Sequence, residues 1–165
     1  MMISNVSLLV SDYDRAIDFY VNKLGFILLC DVPVTAEQRW IRIAPKATVS
    51  GAAASGAVAP ASVAPATVAS ATVASATVAS ATVASATALV LTKATEQQKM
   101  FVGQQAGEGV FLFLQSDDFW QDYQRMKTLG VDFLEEPREE VYATVVIFRD
   151  CEGNKWDLLQ PKSVA

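Results

Sequence analysis

The chain has 165 residues with 13 basic and 18 acidic side chains, a formal net charge of −5, and no histidine. That length suits a single domain. An acidic balance with no basic run argues against a nucleic-acid partner, and the missing histidine removes the common zinc ligand sets and the usual serine or cysteine catalytic pairs.

The N-terminal stretch MMISNVSLLVSDYD has no basic region and reaches Asp12 early, so no secretory leader is expected. Cys30 and Cys151 stand far apart in no metal spacing, which fits reduced thiols in a cytoplasmic protein. Residues 3–10, ISNVSLLV, predict a strand. Ser11 or Asp12 can cap a following helix. Its apolar side would carry Tyr13, Ala16, Ile17, Tyr20 and Leu24, and Gly25 would close it. FILLCDVP (26–33) and QRWIRIAP (38–45) then predict two strands.

Next comes a tract without charge. From residue 47 to residue 86 the chain is built of Ala, Val, Thr, Ser, Pro and Gly, with valine every fifth position from Val58 to Val83. A period of five moves each valine about 140° round a helix and alternates faces along a strand, so neither element gains a stable apolar side. Ala, Ser and Thr are too weakly apolar for a membrane span. The expectation is a flexible, exposed low-complexity insertion. Every charged residue lies outside it, so the remainder has the charge density of an ordinary globular domain.

After the tract, TALVLTK (87–93) predicts a further strand and residues 95–108 a polar linker with a helical turn. The order then repeats. GVFLFLQS (109–116) predicts a strand, and Asp117 or Asp118 a helix cap. Phe119, Trp120, Tyr123, Met126 and Leu129 share the helix's apolar side, and Gly130 ends it. VDFLEEP, VYATVVIFRD and NKWDLLQP predict three strands, with EEPREE (135–140) as a solvated turn. Both halves read β-α-β-β-β. The predicted fold class is therefore α+β: two tandem βαβββ modules in one domain, module one over 1–94 with its insertion at 47–86, module two over 109–165.

In this order and spacing, NVSLLVSDYDRAIDFYVNKLGF (5–26), VFLFLQSDDFWQDYQRMKTLGVDF (110–133) and FRDCEGNKWDLLQP (148–161) resemble the vicinal oxygen chelate superfamily. Its members include glyoxalase I, bleomycin- and fosfomycin-resistance proteins and extradiol dioxygenases. The resemblance implies sheets curled round a shared cleft, often within a homodimer. It also implies four metal-ligand positions. Here these are occupied by Asn5, an aliphatic residue among Leu89, Val90 and Leu91, Phe111, and Asp157. A catalytic divalent site wants about three imidazole or carboxylate ligands, so no metal and no cofactor are expected.

Alternation puts Asp157 on one face with Lys155 and Leu159, opposite Trp156 and Leu158. Phe111, Phe113 and Gln115 share a face, and Trp40 and Arg42 lie opposite Ile41 and Ile43. The predicted cleft thus holds Asn5, Trp40, Arg42, Phe111, Phe113, Gln115 and Asp157, an aromatic lining with few polar groups. Two readings of Asp157 stand side by side: it works on a ligand, or it has a structural role, pairing with Arg42 or capping a backbone group, with Arg42 or Lys155 offsetting its burial. Two functions follow. One is a metal-free protein that binds a small molecule. The alternative is a superfamily enzyme (lyase, isomerase or dioxygenase) with Asp157 as general base. The expected partners are a small-molecule ligand and a second copy of the chain, with no nucleic acid and no membrane.

Overall fold

The computed structural model of the protein describes residues 3–46 and 87–162, all of which belong to one compact unit. The pentad tract and the expectation attached to it lie outside the described residues.

Module one consists of β1 (Asn5–Val10), α1 (Tyr13–Ile17), β2 (Ile27–Pro33), β3 (Arg39–Ala44) and β4 (Ala88–Lys93). Its sheet runs β1-β4-β3-β2, with β1 parallel to β4. Asp12 caps α1 by accepting from the Arg15 amide at 2.9 Å. The helix then widens into a π-helical turn over Asp18–Lys23. The Leu24 amide donates to the Phe19 carbonyl, five residues back. The extra residue per turn rotates the apolar side, so Phe19 is buried beside Tyr20, a position that a strict helical period does not supply.

Module two repeats the plan with β5 (Val110–Gln115), α2 (Phe119–Thr128), β6 (Asp132–Phe133), β8 (Ala143–Arg149) and β9 (Lys155–Pro161), in the order β5-β9-β8-β6. Asp118, not Asp117, caps α2. Two expectations change here. The strand predicted at VDFLEEP shrinks to two residues, and EEPREE is not a bare turn. It contributes β7 (Arg138–Glu139), which pairs with Val145 and Thr144 of β8. Its charges are matched locally: Arg138 bridges Glu135 and Glu140, and Lys162 reaches Glu139. On α2 the buried side is narrower than predicted, with Phe119, Tyr123 and Met126 inside and Trp120 and Leu129 exposed.

A 3₁₀ helix, Glu96–Phe101, opens the linker under a Thr95–Gln98 capping box. The linker then closes an edge. β1 ends its sheet, and Gln105 accepts from the Leu9 amide at 2.8 Å and donates to the Ser7 carbonyl at 3.3 Å. Gly103 is obligatory in this passage. Its φ is +75°, and a Cβ there would lie 2.1 Å from the Glu152 carbonyl oxygen.

One core joins both modules. Leu8, Val10, Ile41, Ile43, Leu89 and Leu91 pack with Tyr20 and Phe26, and these with Phe148, Trp156 and Leu158. Tyr20 and Phe26 lie 5.8 and 6.3 Å from the Trp156 ring. The helix-bearing faces of the two sheets are therefore the ones buried together. Each sheet keeps a second face, and the candidate site residues other than Phe111 lie there.

Candidate functional site

The β8–β9 turn explains why β9 is held where it is. Asp150 is only 6% exposed. It accepts from the Tyr20 hydroxyl at 2.6 Å, Trp156 Nε1 at 3.1 Å and Asn154 Nδ2 at 2.9 Å. It also accepts from the amides of Glu152, Gly153 and Asn154 at 2.8–2.9 Å. An aspartate opening a tight turn readily captures the following amides, and full hydrogen bonding makes its burial tolerable. Asn154 Oδ1 in turn accepts from the Gln105 amide at 3.2 Å, and Arg15 of α1 donates to the Cys151 carbonyl. Burial and Asp150 together push the Tyr20 hydroxyl well above its ordinary range. Burial, with Asp150 and Glu152 beside it, pushes the Cys151 thiol up to about 12, which leaves it a poor nucleophile.

On the helix-free face of the second sheet, Asp157 pairs with Phe113 on one side and Ile147 on the other. The next row is Gln115, Leu159, Val145 and Arg138. Phe113 is 66% exposed, unusual for a ring with no evident structural task. Asp157 is half-buried, and its Oδ1 is buried without any hydrogen-bond partner. Burial pushes its carboxyl above the ordinary range; Arg138 pulls it down, Glu135 pushes it further up, and a backbone hydrogen bond from Val146 lowers it again.

The corresponding face of the first sheet brings Asn5 and Arg42 together, with Arg42 Nε donating to Asn5 Oδ1 at 3.0 Å. Trp40 lies across from Val32, and Val90 lies between Ser7 and Arg42. Trp40 is 46% exposed.

Of the predicted cleft residues, the structure thus groups Asn5 with Arg42, and Phe113 with Asp157. Gln115 sits one row from the latter pair. Phe111 parts from them. The β5–β9 register shifts between Val110 and Leu112, which breaks alternation at that residue. Its ring meets Trp156 edge-on at 6.2 Å, against the core. The predicted structural partners of Asp157 are also engaged elsewhere: Arg42 with Asn5, and Lys155 with the Glu108 carbonyl at 2.8 Å.

The four superfamily ligand positions therefore hold an amide already bonded to a guanidinium, an aliphatic side chain, a core ring and one carboxylate. Among the described residues no group of three or more acidic or cysteine side chains could hold a metal ion. This donor set does not fit a divalent metal.

The comparisons with known proteins agree with this fold. Residues 2–158 match the model of the Glyoxalase/Bleomycin resistance protein/Dioxygenase superfamily. A protein of Shewanella frigidimarina (strain NCIMB 400), whose name assigns no function, is 38% identical over 160 residues, covering 96% of this chain and 92% of that protein. Among solved structures, TnmS3, described as an antibiotic binding protein from Streptomyces sp. CB03234, is 25% identical with a TM-score of 0.63, covering 98% of this chain and 97% of that one. UcmS2, at 23% identity and a TM-score of 0.65 over 96% of this chain and 97% of its own, shares the fold.

Proposed function

The chain belongs to the glyoxalase/bleomycin resistance protein/dioxygenase superfamily, and from that premise we propose that it binds a small aromatic molecule without a metal. One observation carries the reading. A largely exposed phenylalanine, Phe113, stands beside a half-buried carboxylate whose Oδ1 is buried without a hydrogen-bond partner. A flat apolar platform with one convergent polar group is the composition of a small-molecule site. The antibiotic-binding description of TnmS3, a structural neighbour at 25% identity, supports the same reading.

The proposal includes a homodimer. The candidate residues fall into two groups on different sheets, and the core that joins the modules uses the other faces. Two copies arranged with unlike sheets facing would close one cleft from both groups and cover Trp40 and Phe113.

The test is a thermal-shift series with naphthalene, anthracene and acridine derivatives, run beside divalent zinc, nickel and manganese. A ligand that binds only the folded state raises the melting temperature with concentration. At least one aromatic should do so for the native chain and not for Phe113→Ala, and the metal ions should not. A shift from a metal ion alone would overturn the reading. Sedimentation analysis should give two copies per particle; a monomer would remove the assembly from the proposal.

The enzymatic alternative has one observation in its favour, the raised Asp157 carboxyl, which suits a general base. It requires turnover that Asp157→Asn abolishes.

A further inference from the structure

The cations around Asp157 are already committed. Arg138 donates to Glu135 at 3.0 Å and to Glu140 at 2.8 Å. Lys155 donates to the Glu108 carbonyl, and Lys162 pairs with Glu139 at 2.9 Å. Asp157 feels the charge of Arg138 but forms no ion pair with it, and its Oδ1 is buried and unbonded. The protein compensates it only in part, with a backbone hydrogen bond from Val146, where it satisfies Asp150 seven residues earlier with six donors. Glu135 adds a second negative charge that acts on the same carboxylate.

A buried carboxylate oxygen with no donor is costly to keep. A donor supplied by a ligand, met by a small rotation of the carboxyl group, removes that cost. The residue in register with Asp157 on β5 is Phe113, whose ring is exposed. A ring accepts a flat partner, and its face attracts positive charge. Resting on the aromatic-binding reading above, we propose that the ligand is a planar aromatic cation with an N–H donor, its ring laid against Phe113 and its N–H bonded to Asp157. A neutral aromatic would leave the carboxylate unpaired. An aromatic anion would meet both Asp157 and Glu135.

Three acridines of nearly one shape separate these cases: 9-aminoacridine, a cation with N–H donors at neutral pH; acridine, neutral there; and acridine-9-carboxylate, an anion. Each is titrated into the full chain by fluorescence at low salt. The cation should bind at least about tenfold more tightly than acridine, as expected of a charge-assisted hydrogen bond. The anion should bind more weakly than acridine. Asp157→Asn, which keeps the shape, should remove the preference for the cation while leaving acridine affinity unchanged. The native-chain comparison needs no variant, so a variant that fails to fold does not leave the proposal open. Acridine binding as tightly as 9-aminoacridine, or an Asn variant that keeps the preference, would overturn the cation assignment and leave the aromatic-binding reading intact. If none of the three binds, both fall.

Discussion

Two aspartates seven residues apart show opposite designs. Asp150 accepts from two ring-bearing side chains, an asparagine and three backbone amides, and it ties the helix of one module to the last strand of the other. Asp157, further along the strand that this turn launches, has a buried oxygen with nothing bonded to it. The protein can satisfy a buried carboxylate completely, and here it does so once. The contrast separates a carboxylate fully bonded within the fold from one whose buried Oδ1 is left unbonded.

Breaking the first half of that comparison should have the largest effect. Asp150→Ala strands the Tyr20 hydroxyl and Trp156 Nε1 in the core. Losing one side of such a buried polar network costs about 3–5 kcal/mol, or a fall in melting temperature of about 10 °C or more. A melt within a few degrees of the native chain would mean that the network is dispensable.

Tyr20→Phe sharpens the point by removing one donor and keeping the ring. It should cost about 1–2 kcal/mol, read from denaturant unfolding. Combined with Asp150→Asn, the two losses should not add, because both act on one hydrogen bond. Additive losses would show that the Tyr20 hydroxyl contributes independently of Asp150.

The smallest effect is expected at Cys151, whose thiol is pushed up to about 12. In a Cys30→Ser background, alkylation by iodoacetamide at pH 8 should be far slower in the folded chain than after unfolding. Equal rates would show the thiol to be freely ionising.

Much of this architecture is legible in the sequence, and the failures have local causes. Alternation placed Ile41, Ile43, Trp156 and Leu158 on the helix side, and all four are buried. Helix caps followed from Asp12 and Asp118, because an aspartate before an amphipathic run satisfies free amides. Phe111 was misplaced because a register shift in β5 is invisible to a period-two count. Phe19 was missed because a π turn adds a residue to the helical repeat. The partners of charged groups were the least legible. Asp150 lies in the conspicuous turn RDCEGN, and an aspartate two residues before a Glu-Gly pair is a recognisable turn signal. Its bond to Tyr20 joins residues 130 positions apart, and no local pattern encodes that. Gln105 escaped for the same reason, since only the fold decides that it reaches Ser7 and Leu9.

The central claim is that the chain leaves a buried oxygen of Asp157 unbonded, and paired melts of the native protein and Asp157→Asn from pH 3 to pH 7 test it most directly. A carboxyl raised in the folded state binds its proton more tightly there than in the unfolded chain. Its stabilising contribution is therefore complete below the unfolded value of about 3.9 and is lost as pH rises through the folded value. The account predicts that Asp157→Asn melts at or above the native temperature at pH 7. It also predicts that the native chain gains on the variant as the pH is lowered through the carboxylate range. An Asn variant that melts many degrees lower at pH 7, with the gap closing on acidification, would show Asp157 to be a buried partner in the fold and would contradict the account.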